Sequence, residues 1–205
     1  MPVVTDIKQQ LKRHNRYSIY LDGSYAFSLA EDQLVISNLS KGAELTAAEV
    51  TQLQGLSDYG KALDRAYNYL SYRDRSADEL VRYLEGKDYD SPTVQQVVER
   101  LKSEGSLNDE RFAEQWVQER TLYRHASKRK IYQELMQKGI GREIIDEALS
   151  KVNNQDQQAT IRQLIQAKQL MQKYQDERKL IQYLRGKGFR YSDITAAIQE
   201  IHDTG

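Results

Sequence analysis

The chain has 205 residues, with 30 Lys plus Arg against 30 Asp plus Glu, so its formal net charge is zero. It contains no cysteine, which excludes disulfides, zinc–thiolate sites, iron–sulfur clusters and cysteine nucleophiles together. Mean hydropathy is −0.77 and no apolar run approaches the ~20 residues of a membrane span, so helices with thin cores are expected rather than a thick sandwich or a membrane protein.

The N-terminus also lacks a signal-peptide core, so a cytoplasmic protein is expected. Neutral total charge hides an asymmetry: residues 1–60 are net −2, 61–110 net −3, 111–155 net +3 and 156–205 net +2. A protein living on nonspecific DNA affinity shows a larger basic excess. The pattern suits a partner surface of mixed charge, such as protein lying on DNA.

The first 30 residues differ from the rest. Tyr17–Leu29 is rich in aromatic and β-branched residues around Asp22-Gly23, a strong two-residue hairpin signal. That turn sets Tyr20 opposite Tyr25 and Ile19 opposite Ala26. Val3–Leu11 is a third strand or a helix. Ala30–Asn38 and Thr46–Gly55 read as short helices around a turn at Lys41-Gly42.

From Lys61 onward helical spacing takes over, and the chain repeats itself. Leu80, Leu84, Lys87, Tyr89, Val94, Val98 and Leu101 recur 51 residues on as Ile131, Leu135, Lys138, Ile140, Ile145, Leu149 and Val152. A further 49 residues give Leu180, Leu184, Lys187, Phe189, Ile194, Ile198 and Ile201. Each copy is a helix, a Lys-containing turn and a second helix, preceded by an amphipathic stretch: Lys61–Tyr72, Asn108–Leu122 or Asp156–Tyr174. Gly139 and Gly188 stand where a helix C-cap needs the left-handed conformation; Asp88 holds that place in the first copy and makes a weaker cap. Ser76 with Glu79, and Asn108, read as N-caps. Phe112 and Trp116, four apart on one helix, are expected inside the middle repeat. The fold is therefore mainly α: three tandem three-helix repeats (61–107, 108–155, 156–205) in an elongated curved array, after an N-terminal hairpin-containing region of residues 1–60.

Enzyme chemistry finds little support. His14, His125 and His202 are far apart and sit in no metal-binding pattern, and there is no phosphate loop or nucleophile elbow. Lys138-Gly139-Ile140-Gly141 follows no strand and reads as a helix cap. No catalysis, metal or cofactor is expected. Tyr67, Tyr69 and Tyr72 beside Arg73 and Arg75 could stack on single-stranded nucleic acid, although helix packing explains them more simply. One basic cluster stands out: Arg120, Arg124, Lys128, Arg129 and Lys130, with no acid between Glu119 and Glu134. A solvated face and an anionic partner are both open for it. Arg73 and Arg75 occupy the matching helix junction in the first repeat, so aligned repeats would join all seven into one discontinuous basic strip. A major-groove helix–turn–helix reader is disfavoured, because the second helices offer Glu143, Asp146, Glu147, Asp193 and Glu200 where such readers present Arg, Lys, Asn or Gln.

Four segments carry a resemblance. Leu70-Ser-Tyr-Arg-Asp-Arg-Ser-Ala-Asp-Glu-Leu80, Leu107-Asn-Asp-Glu-Arg-Phe-Ala-Glu-Gln-Trp-Val-Gln-Glu-Arg120 and Glu134-Leu-Met-Gln-Lys-Gly-Ile140 resemble signature segments of the bacterial RecX regulatory family, and Tyr20–Leu29 resembles the N-terminal region of its Gram-positive branch. The chain departs from the family pattern at Asp88, Ser106 and Ala126, which bears on local turn geometry. The resemblance implies a non-enzymatic, monomeric modulator that lies in the groove of the RecA filament on single-stranded DNA, usually inhibits it, and acts in recombination, DNA repair and the SOS response. On that footing Arg73, Arg75, Arg120, Arg124, Lys128, Arg129 and Lys130 are the candidate filament-binding residues, with weak direct DNA binding. A helical DNA-binding protein acting indirectly on recombination, and a helical adaptor with an unrelated partner, are the alternatives.

Overall fold

A computed structural model describes residues 1–11 and 13–204, with the side chains of all of them except Arg13, His14, Asn154 and Thr204. The His14 imidazole considered above therefore lies outside the described residues. The chain divides into two compact units. Unit 1 is Met1–Asp74 with Leu80–Ser106, and unit 2 is Arg75–Glu79 with Leu107–Gly205. No helix among the described residues is long and apolar enough to cross a membrane.

Unit 1 opens with an antiparallel sheet of β1 (Val4–Gln10), β2 (Arg13–Leu21) and β3 (Ser24–Ala30), in that order. Asp22 (φ 48°) and Gly23 (φ 83°) both adopt positive φ, as a type I′ turn requires. Tyr20 pairs with Tyr25 as expected, but Ile19 faces Phe27 and not Ala26. An irregularity between Ile19 and Tyr20 skips Ala26. The skip puts Ile19 and Phe27, both fully buried, on the core face together. Burial of two large side chains outweighs a regular ladder.

After α1 (Glu31–Ser37) comes the main departure from expectation. Thr46–Gly55 and Lys61–Tyr72 are not separate helices; α2 runs unbroken from Ala47 to Leu70, straight across residue 60. Its start is a capping box, with the Thr46 hydroxyl accepting from Glu49 N and the Glu49 carboxylate accepting from Thr46 N. Gly60 is no break. A Cβ there would lie 2.8 Å from Gln33 Oε1, so the glycine lets α1 approach. Gln33 in turn accepts from Ala30 N and donates to the Leu56 carbonyl.

Arg16, on β2, is 1% exposed and was not singled out by any pattern. Its guanidinium donates to Asp64 Oδ2 (3.0 Å), the Ser28 carbonyl (3.0 Å) and the Ser57 carbonyl (3.5 Å). It binds the sheet to α2 from within. Unit 1 is completed by the part of α3 (Ala77–Glu85) from Leu80 on and by α4 (Ser91–Ser103), which packs on α2.

Unit 2 contains α5 (Asp109–Leu122), α6 (Lys128–Gln137), α7 (Arg142–Ser150), α8 (Asn154–Ala167), α9 (Leu170–Lys173), α10 (Glu177–Gly186) and α11 (Tyr191–Thr204). Two cores follow the repeat. Ile131, Leu135, Ile140, Ile145 and Leu149 join Phe112 and Val117 in one; Leu180, Leu184, Phe189, Ile194 and Ile198 join Ile161 and Ile165 in the other. Asn108 and Ser76 cap as expected, accepting from Arg111 N and Glu79 N. The stretch Asp156–Tyr174 is two helices, broken at Gln169 (φ 49°). All three turns carry the left-handed residue in the expected place: Asp88 (φ 64°), Gly139 (φ 76°) and Gly188 (φ 92°).

Candidate anion-binding groove

Ser127 organises the basic residues of unit 2. It is the N-cap of α6, accepting from Lys130 N, and its hydroxyl donates to the Lys187 carbonyl at 2.7 Å. That bond brings the α10–α11 turn against the start of α6. Between them lies an open groove of about 800 Å³. Arg120 lines it from α5 and Arg124 from the turn after it, Arg129 and Lys130 from α6, Lys168 from the C-cap of α8, Arg185 from α10 and Lys187 from the C-cap of α10. Glu134 is the only acidic lining residue.

The charges are not arranged for stability. The first turn of α6 is Lys128-Arg129-Lys130, with no acid. Cations at a helix N-terminus face the positive end of the helix dipole and cost about 0.3–1 kcal/mol each at exposed sites. By contrast, α5 begins with Asp109 and Glu110 and α10 with Glu177. An anion in the groove relieves both the mutual repulsion and the clash with the dipole.

Two members of the expected set already meet Glu134: Lys130 Nζ lies 3.9 Å from its Oε1, and Arg120 is held more tightly. Arg120 Nε meets Glu134 Oε2 at 2.8 Å, its Nη1 meets Glu119 Oε1 at 2.8 Å, and its guanidinium lies 3.9 Å from the Trp116 ring centre. Trp116 Nε1 donates to the same Glu134 oxygen (3.0 Å), and Lys138 Nζ sits 4.4 Å from the ring centre while donating to Glu79 (2.8 Å). Trp116 is thus half-buried under two cations and not inside the core; Phe112 is inside.

Of the seven residues expected to form a strip, Arg120, Arg124, Arg129 and Lys130 come together in the groove. Lys128 is not among its lining residues, and its backbone N–H donates to Gln157 Oε1. Arg73 belongs to unit 1 and Arg75 to unit 2, and neither lines the groove. Lys168, Arg185 and Lys187 were missed. They lie 38 or more residues from Lys130; the sequence signal for Lys187 was its place in the repeat turn.

Fold and groove together define a helical-repeat protein with a small N-terminal sheet and a groove lined by cations. Family models match three stretches: the "Regulatory protein RecX N-terminal domain" over residues 2–46, the "RecX, first three-helix domain" over 62–101 and the "RecX, second three-helix domain" over 108–149. Regulatory protein RecX of Bacillus subtilis (strain 168) is 34% identical over 206 residues, covering 98% of this chain and 78% of the relative. That of Limosilactobacillus reuteri is 34% identical over 94% of this chain and 74% of the relative. A crystal structure of regulatory protein RecX superposes with a TM-score of 0.82 at 31% identity, over 97% of this chain and all of that one. The chain belongs to the RecX family of regulatory proteins.

Proposed function

We propose that the chain is a non-enzymatic modulator of the RecA recombinase, an inhibitor, that acts in the cytoplasm as a monomer. It lies in the groove of the RecA filament on single-stranded DNA and so regulates recombination, DNA repair and the SOS response. The observation that carries this is the cationic groove, where seven cations face one carboxylate, already shared by Arg120 and Lys130. A filament groove lined by DNA phosphates and protein carboxylates supplies the missing anions. The original seven-residue set is refined accordingly: Arg124, Arg129 and Lys130 carry binding together with Lys168, Arg185 and Lys187, while Arg120 positions the groove wall. Lys128, Arg73 and Arg75 are secondary contacts.

The test is the DNA-dependent ATPase of RecA from the same organism, titrated with the wild type and with the triple variant R124E/R129E/K187E. The expected result is suppression by the wild type and a shift of the variant's titration midpoint by 10-fold or more, with its helical circular dichroism unchanged. A folded variant that suppresses at the wild-type concentration rejects the groove as the filament contact. Tight binding of the wild type to single-stranded DNA without RecA at physiological salt favours a DNA-binding protein acting indirectly.

A further inference from the structure

One hydrogen-bond device is used twice within unit 2. At the first junction the Ser76 hydroxyl donates to the Lys138 carbonyl (2.6 Å), and Ala77 N donates to Asp109 Oδ1 (2.9 Å). At the second, 51 residues on, the Ser127 hydroxyl donates to the Lys187 carbonyl (2.7 Å), and Lys128 N donates to Gln157 Oε1 (3.1 Å). Each junction has a sender, the N-cap serine and the amide after it. Each has a receiver, the Lys-Gly turn and a side chain in the first turn of a helix. The receivers need glycine for more than its positive φ. A Cβ on Gly139 would stand 2.3 Å from Asp78 Cβ, and one on Gly188 would stand 2.7 Å from Ser127 Oγ.

Three repeats hold one more sender and one more receiver turn, and both are altered; where the other receivers begin a helix, α2 runs on unbroken. The receiver turn of the first repeat is Lys87-Asp88, with Lys87 and Asp88 exposed. Asp88 adopts the same left-handed φ as the glycines, so the turn is intact, but a Cβ and a carboxylate fill the space an incoming serine cap requires. The sender of the third repeat is Asp176, exposed, which caps α10 by accepting from Arg178 N. A carboxylate accepts and has no proton to donate to a carbonyl. A head-to-tail meeting of two copies would therefore set Asp176 against Asp88.

We propose that Asp88 and Asp176 bar the repeat junction from forming between copies of this chain. The contact they block is heterologous, one face of a copy meeting a different face of the next. Such contacts propagate into open chains, so blocking either face suffices to prevent growth. Repeat proteins need surfaces that do not continue the internal contact, and here an aspartate alters each half of it.

Single variants D88G and D176S test this by sedimentation velocity, separately and mixed. Neither change threatens folding, because glycine suits a left-handed turn and serine is a good N-cap; circular dichroism checks both. Each variant alone keeps one blocked face and is expected to sediment as a monomer. The equimolar mixture is expected to form a complex of twice the monomer mass, and D88G/D176S to form species that lengthen with concentration. A mixture that stays at monomer mass up to about 1 mM, the concentration below which specific association lies in the weak range, overturns the proposal. So does concentration-dependent head-to-tail association of the wild type.

Discussion

Arg120 and Glu134, fourteen positions apart, form a 2.8 Å ion pair that shares its carboxylate oxygen with the Trp116 indole N–H. The pair is only about one-fifth exposed on each side. It closes one wall of the cationic groove and removes Arg120 from the set available to an anion. Sequence inspection saw an uninterrupted basic run up to Glu134; folding turns the first acid after the run back onto its first cation.

Arg120 and Arg124 should therefore separate by function. R120A leaves a half-buried Glu134 with one donor fewer and strips a cation from the Trp116 ring. It is expected to lower stability by about 1–3 kcal/mol, read by urea unfolding followed by tryptophan fluorescence. R124A is expected to stay within about 0.5 kcal/mol of wild type. Equal losses from the two would contradict the division of roles.

Arg16 should be among the most sensitive positions of unit 1. R16A removes the group that satisfies Asp64 and the carbonyls of Ser28 and Ser57, and leaves the space beneath β2 unfilled. Asp64 is about one-third exposed and stays solvated, so the loss comes from the buried carbonyls left without a donor and is expected at about 1–3 kcal/mol. Thermal unfolding monitored by circular dichroism checks this. A variant that melts like wild type would mean that water replaces the guanidinium without cost.

The repeat turns offer a paired comparison. G139A imposes about 1–2 kcal/mol for a Cβ in the left-handed region and must displace Asp78 besides. D88G relieves that backbone cost where nothing is packed, and is expected to be neutral or to stabilise by up to about 1 kcal/mol. Chemical denaturation of the two variants side by side gives the sign of each.

Acid stability depends in part on Asp90, the N-cap of α4. Its carboxyl is held below the ordinary aspartate value, first by the Thr93 hydroxyl and then by the Thr93 backbone N–H. A lowered folded pKa means stability that is fully present above the unfolded value near 3.8. It is lost as pH falls through the lower folded value. D90A should reduce the melting temperature at pH 7, and the gap to wild type should shrink as pH approaches 2. A gap that stays constant with pH would show that the cap works without its charge.

Much was settled by local rules. Positive φ at Asp22 and Gly23, the caps at Ser76 and Asn108, and the left-handed turns at Asp88, Gly139 and Gly188 follow from neighbours within four residues, so the sequence alone determines them. The apolar stripe of the repeat determined both cores of unit 2, because burial of a 3.6-residue period admits one inward face. Tertiary structure decided the rest. Gly60 ends no helix because Gln33 packs on it, and Ile19 faces Phe27 because the core requires both. Lys168, Arg185 and Lys187 reach the basic cluster only through the Ser127–Lys187 bond. No periodicity encodes a contact between residues 60 positions apart; the energy of that contact exists only once two repeats have folded and met.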